Sequence, residues 1–227
     1  MGIPAAARER LLKILRLLET GPVPGGGGAL TSAELEALSG LPRKTIRKDI
    51  SYLISGSAGP ADGAGAVGSC AGYSPEVLGG AIRRALGLDR RRKFCVVGLG
   101  RLGSAYLNAA AGPDPLDYGE FELAAGFDTN VNRVEILKSP VPLFPAYKMA
   151  EVAGRLGLEI ALLCVPAEAA QGAAERCAAS GIRGIVSFAP AALKLPAGIA
   201  VRNVYVTDEL RALAVHIQDN EKRKEFL

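Results

Sequence analysis

Apolar residues recur at helical spacing from the start of the chain. Leu11, Leu12, Leu15 and Leu18 make one stripe between residues 5 and 19, with Arg8, Lys13 and Arg16 elsewhere around the helix. Gly21, Pro22, Pro24 and the run Gly25 to Gly28 end that helix. Thr31-Ser32-Ala33-Glu34 then reads as a capping box, so a second helix starts at Thr31 and stops near Ser39-Gly40. Pro42 suits the first turn of a third helix, where its missing N–H is no loss, and that helix runs to about Leu53. Helix, loop, helix, short turn, helix is the outline of a helix-turn-helix unit. From Ser55 to Gly72 the chain is mostly Gly, Ala and Ser, and a short hairpin is the only regular element it accommodates. Ser74-Pro75 opens another helix, to about Leu86.

Beyond the basic hinge Asp89 to Lys93 the rhythm changes. Phe94 to Val97 is a short apolar run, followed by a Gly-rich turn and a helical stretch from Leu102 to Ala111. Further apolar runs cover Leu123 to Phe127, Ile160 to Val165, Ile185 to Phe188 and Ile199 to Val204, with helical stretches near 146–156 and 167–179 between some of them. Such alternation predicts a Rossmann-like α/β fold, a doubly wound parallel sheet covered by helices on both faces. A last helix runs from Thr207 to about Lys224. The expected organisation is a head over 1–75, a dinucleotide-type domain over 76–206 and a closing helix over 207–227.

Composition narrows the function classes. With 49% apolar residues in 227, a packed core is available to one large or two modest domains. No apolar run approaches the roughly 20 residues needed to span a bilayer. Met1 to Ala7 lacks the pattern of a signal peptide, so a cytoplasmic location without membrane contact is expected. None of the four cysteines, Cys70, Cys95, Cys164 and Cys177, sits at C-x-x-C spacing, and His216 is remote from all of them, which argues against a metal site. Cys95 and Cys164 fall in apolar runs and read as small buried hydrophobes.

The net charge of +4 is mild, so its clustering matters more than its sum. On the third helix Ile46, Ile50 and Leu53 share one side. Arg43, Lys44, Arg47, Lys48 and Ser51 gather on the other, with Asp49 the lone carboxylate and Tyr52 close by. The third helix of such a unit enters the major groove of double-stranded DNA, where Arg and Lys reach guanine edges or phosphates and Ser and Tyr reach the backbone. A solvated amphipathic helix is the plainer alternative.

Gly98-Leu99-Gly100-Arg101-Leu102-Gly103 matches G-x-G-x-x-G, directly after an apolar strand and at the start of a helix. Gly98 permits the tight turn, Gly100 lets backbone approach a pyrophosphate, and Gly103 lets the helix pack on the strand. The next strand ends at Asp128, placed to bond adenosine ribose hydroxyls and to favour NAD(H) over NADP(H). No Tyr-x-x-x-Lys and no His/Asp pair accompanies this loop, and His216 sits in the closing helix, so no catalytic residue is expected. A cofactor site without chemistry, joined to a DNA-binding head, reads as a sensor. The rivals are an NAD-dependent oxidoreductase with an accessory head and a DNA-binding or scaffold protein whose Rossmann domain only dimerises.

Short blocks in the same order resemble the Rex family of redox-sensing transcriptional repressors over nearly the whole chain. They are Ile3-Pro4 leading into Arg10-Leu11 and Leu15-Arg16; Arg47 to Tyr52; Gly98 to Ala105; Phe127-Asp128; Val165 to Gln171; Gly181 to Ile185; Phe188-Ala189-Pro190; and Val201 to Val204. The resemblance implies a winged head, a homodimer whose C-terminal helix packs into the partner subunit, a palindromic operator, release of DNA by NADH and binding with NAD+. It also makes Val165, Pro166 and Phe188 candidate cofactor contacts. Three positions depart from the family. Tyr205 stands where an aspartate is expected to pair with the arginine matching Arg16. Ala109 stands where that aspartate's other partner, a tyrosine, is expected. The wing segment, Ser55 to Tyr73, is long and carries no Lys or Arg. Loss of a charge pair that distinguishes two states predicts weakened or rewired coupling of cofactor to DNA.

Overall fold

The computed structural model describes residues 2–20, 29–56, 72–110 and 117–225, with backbone alone at 54–56 and 223–225. Most of the expected wing, and Cys70 within it, lies outside these residues. The chain divides into two compact units, Met1–Arg90 and Arg91–Leu227.

The first unit is built from α1 (Ala5–Thr20), α2 (Ser32–Ser39), α3 (Arg43–Gly56) and α4 (Pro75–Leu86). Its core joins Leu11, Ile14 and Leu15 to Leu35, Ile46, Ile50, Leu53, Leu78 and Ile82. Burying each such side chain contributes about 1.5–3 kcal/mol. The apolar stripe of α1 is rotated from the expected one. Ile14 is fully buried and Leu12 is 43% exposed, because spacings of three and four residues, not one, share a helix face.

Both ends of α2 are fixed locally. Thr31 and Glu34 form the reciprocal capping box, with the Thr31 N–H donating to Glu34 Oε2 at 2.7 Å and the Glu34 N–H to Thr31 Oγ1 at 3.2 Å. The Thr31 N–H, together with the Thr31 hydroxyl that also donates to Oε2 at 2.8 Å, holds the Glu34 carboxyl below its ordinary range. Gly40 closes the helix in the left-handed conformation. The Pro42 carbonyl accepts from Thr45 and Ile46 as α3 begins. Ser74 occupies the N-cap position of α4, but its hydroxyl makes no capping bond; Pro75 supplies the start. Leu30 and Tyr73 exchange two N–H···O bonds of 2.7 Å, an antiparallel bridge between the residue ahead of α2 and the residue ahead of α4. Because Leu78 and Ile82 complete the core around Leu11 and Ile14, α4 belongs to the head, and the division falls after Arg90 where the sequence had placed it at 75/76.

The second unit holds β1 (Arg92–Val97), α5 (Arg101–Ala109), β2 (Phe121–Asp128), α6 (Val131–Ile136), β3 (Leu143–Pro145), α7 (Met149–Leu156), β4 (Leu158–Leu163), α8 (Ala167–Ala179), β5 (Gly184–Ser187), β6 (Ala200–Asn203) and α9 (Val206–Glu225). All strands pair in parallel, in the order β3-β2-β1-β4-β5-β6. This is a doubly wound sheet that reverses direction between β1 and β4. Central β1 is covered on both faces, which explains its unbroken apolar run. Cys95 and Val97 face the core carrying α7 and α8, and Val96 faces Leu99 and Leu107. Small residues on α8 (Ala170, Ala173, Ala174, Cys177) let that helix lie close to the sheet.

Two elements, α6 and edge strand β3, were not foreseen in the sequence. No residue of α9 described by its side chain is buried or even half-buried. No helix among the described residues is long and apolar enough to cross a membrane.

Candidate dinucleotide cleft and basic reading face

The cleft opens where the sheet reverses, at the carboxyl ends of β1 and β4. The chain leaves β1 at Gly98, which has φ +91, and its N–H donates to the Phe127 carbonyl at 2.8 Å. A Cβ there would lie 2.6 Å from Val165 Cγ1 and 2.8 Å from the Cys164 carbonyl oxygen. Glycine thus lets the loops after β1 and β4 close on each other. Gly103, on the first turn of α5, has no room either: a Cβ would sit 2.0 Å from the Gly98 carbonyl oxygen. Gly100 differs. It caps α5 with φ −69, and a Cβ on it would meet nothing within 4 Å. The loop therefore offers bare backbone to the cleft at one point, in front of helix N–H groups that have no partner within the helix.

The cavity has a volume of about 420 Å³, on the scale of a bound nucleotide. Gly98, Gly100, Arg101, Leu102, Asp128, Val165, Pro166 and Phe188 all line it. Leu99 and Gly103 do not: both are buried behind the loop, Leu99 against Val96 and Leu107. The cavity also brings in residues that motif reasoning missed. Arg133 of α6 and Arg176 of α8 stand on its walls, and Ala146, Ala169 and Ala173 leave the space. The i, i+4 pair of alanines on α8 was a legible sign of a helix face that something approaches.

Asp128 ends β2 with 5% of its surface exposed, and its carboxylate is not bare. Oδ2 accepts from the Leu99 N–H at 2.7 Å and from Arg133 Nη1 at 3.0 Å, and Oδ1 accepts from the Asn130 N–H at 2.7 Å. Burial alone would push this carboxyl up. The two N–H groups and the guanidinium together outweigh it and hold the group below the ordinary carboxylate range. Asp128 thus ties the glycine loop to the end of β2 and stays charged at neutral pH. Repulsion of a ribose phosphate by Asp128 is accordingly offset by Arg133, a term the sequence reading lacked.

The three described cysteines are quiet. Burial raises the Cys164 and Cys177 thiols to about 12 and lifts Cys95 well above its ordinary value. Cys164 is only half-buried and lines the cleft, so the expectation of full burial holds for Cys95 and not for Cys164. Among the described residues no three His, Cys, Asp or Glu side chains are grouped to hold a metal ion.

In the first unit, Arg43, Lys44, Arg47, Lys48 and Ser51 are exposed on α3 and Tyr52 is half-buried, opposite the buried Ile46, Ile50 and Leu53. Asp49, on the same helix, is fully buried, and Arg10 of α1 grips it through two bonds of 2.6 and 2.8 Å. Helix α2 reaches two of the cations. Glu36 binds the Arg43 side chain, and Arg47 Nε donates to Ser32 Oγ at 3.1 Å. Arg16 is exposed on α1. Tyr205 precedes α9, and its hydroxyl donates to the Ala191 carbonyl at 3.4 Å, just beyond the cleft-lining Phe188. Ala109 ends α5.

A family model described as a CoA binding domain matches residues 89–191, from the start of β1 to just past β5. The redox-sensing transcriptional repressor Rex of Thermus thermophilus is 38% identical over 235 residues, with both chains covered completely. Among solved structures, RSP, a Rex-family repressor, in complex with β-NADH superposes with a TM-score of 0.78 at 26% identity, covering 99% of each chain. RSP in complex with β-NAD+ and operator DNA gives a TM-score of 0.75 at 27% identity, covering 100% of this chain and 97% of that one.

Proposed function

The chain belongs to the Rex family of redox-sensing transcriptional repressors, and on that premise we propose how its own residues divide the work. It is a DNA-binding repressor that senses the balance of NADH and NAD+. Gly98, Gly100, Arg101 and Leu102 cradle the pyrophosphate, with Leu99 and Gly103 shaping the loop from behind. Asp128 meets the adenosine ribose, and Val165, Pro166 and Phe188 line the nicotinamide side. Arg43, Lys44, Arg47, Lys48, Ser51 and Tyr52 face the DNA. The observation that carries the cofactor assignment is the open approach at Gly100 beside a carboxylate already anchored to the loop.

A homodimer on a palindromic operator completes the reading. Val206, Leu210, Leu213 and Ile217 recur at spacings of four and three along α9, all more than half exposed. A stripe of that kind needs a partner, and a second α9-bearing subunit provides one. Dimer symmetry then sets operator symmetry. The protein acts where the chromosome is, in the cytoplasm, and catalyses no reaction. In support, the cleft wall carries a carboxyl, Asp128, held below its ordinary range and a thiol, Cys164, raised to about 12, so neither is poised to exchange a proton near neutral pH.

NADH can release DNA only by binding the DNA-incompetent state more tightly. Tyr205 cannot supply the charge that the family aspartate brings; its hydroxyl donates instead to the Ala191 carbonyl, a neutral contact through which the dinucleotide would act. Titrating the operator complex with NADH in a gel shift is expected to free the DNA, and titrating with NAD+ to leave it bound. Identical binding with and without NADH would remove the switch from this chain while leaving the repressor. Turnover of NADH with a small carbonyl compound would replace the reading with an oxidoreductase.

A further inference from the structure

Helix α2 does more than support the reading helix; it also places a carboxylate at that helix's entrance. Glu36 Oε1 accepts the Arg43 backbone N–H at 3.3 Å, and Oε2 accepts from Arg43 Nε. One side chain thus caps the first turn of α3 and holds the first of its four exposed cations. The Arg43 guanidinium draws the Glu36 carboxyl below its ordinary range, so Glu36 stays charged at neutral pH. Both side chains are well exposed. The side chain of the other arginine, Arg47, is bonded only to a neutral hydroxyl, and the Lys44 and Lys48 ammonium groups have no bonding partner among the described residues. Glu36 therefore singles out one cation of the four and offsets its charge.

We propose that Glu36 is a positioning residue that sets sequence discrimination, by keeping Arg43 from pairing with phosphates in arbitrary register. This rests on the reading of α3 as the DNA-reading helix. Binding to arbitrary sequence is almost wholly electrostatic, and it gains from every cation free to follow the backbone. A cation held in one direction by a neighbouring carboxylate is not free in that sense. At an operator the protein stands in one register, so Arg43 either serves in its held direction or leaves a solvent-exposed pair that is weak to begin with. Glu36 thus opposes arbitrary binding more than operator binding.

The test compares the full-length protein with its Glu36→Gln variant. The amide keeps an oxygen to cap Arg43 while losing the charge, so the fold is expected to survive, as thermal unfolding will report. Fluorescence anisotropy across a salt series would use two probes: a duplex the wild type has selected from a random library, and the unselected random pool at the same length. Glu36→Gln is expected to tighten binding to the pool by about three- to tenfold, to steepen its log-log salt dependence by about 0.9, and to tighten the selected duplex less. The same change in an Arg43→Gln background is expected to do nothing. An unchanged ratio between the two probes, or full tightening without Arg43, overturns the proposal. Failure of the wild type to select any duplex would instead overturn the reading of α3.

Discussion

Replacing Gly103 with alanine is expected to abolish saturable NADH binding and to lower the unfolding temperature of the second unit. The added methyl would lie 2.0 Å from the Gly98 carbonyl oxygen, 3.0 Å from its carbon and 3.1 Å from Val96 Cγ1. Two of these atoms are backbone, fixed by the Gly98 N–H bond to Phe127 and by the packing of the β1 and β4 loops. The helix must yield, and lifting α5 from β1 carries its N-terminus away from the place where phosphates would sit. Overpacking of this kind costs about 1–3 kcal/mol, and a clash with backbone belongs at the upper end. Gly100→Ala separates the two effects. Its backbone is ordinary and its Cβ meets no atom, so stability should be unchanged. The methyl stands in the cleft, and NADH affinity should fall by about tenfold or more, roughly 1.4 kcal/mol of lost binding. A fluorescence titration beside a thermal melt distinguishes these outcomes. Wild-type NADH affinity in both variants would remove the glycine loop from the binding site.

The parts of this molecule visible in its sequence are those whose cause is local. The capping box at Thr31, the helix stop near Gly40 and the glycine loop each depend on residues a few positions apart, and they stand where expected. Short elements were invisible. Strand β3 has three residues and ends on Pro145, and α6 has six; neither is long enough to display a period. Pairings across the fold were invisible too. Asp49 counted as a lone acid among cations, yet it is the buried partner of Arg10, and Glu36 could not be joined to Arg43 without knowing the angle of the turn. The same limit applied at α4: periodicity reveals a face but not the core that face enters. At the cleft, Asp128 was legible from the strand it ends, whereas Arg176 arrives from a distant helix and only the folded chain brings the two to one cavity.

Joint replacement of Arg47 and Lys48 by alanine is expected to weaken operator binding by about 100-fold or more, with NADH affinity unchanged. Both side chains are exposed and carry none of the core, which α3 builds from Ile46, Ile50 and Leu53. Alanine also suits a helix interior. The variant should therefore unfold at nearly the wild-type temperature, and its lost affinity would be a loss of contacts with DNA. The two positions should differ when changed singly. Arg47 presents a planar fork already steered by Ser32, the geometry that reads a guanine edge, so Arg47→Ala should relax sequence preference as well as affinity. Lys48, a flexible point charge whose ammonium has no partner among the described residues, should weaken all sequences alike when removed and reduce the salt dependence by about one counterion. Asp49→Ala provides the contrast. It leaves Arg10 without its buried partner, so it should fail through the fold, with operator binding and the first unit's thermal transition declining together. A double variant that keeps wild-type operator affinity and salt dependence would mean that α3 turns a different face to DNA. The exposed cations would then be only the solvated side of an amphipathic helix.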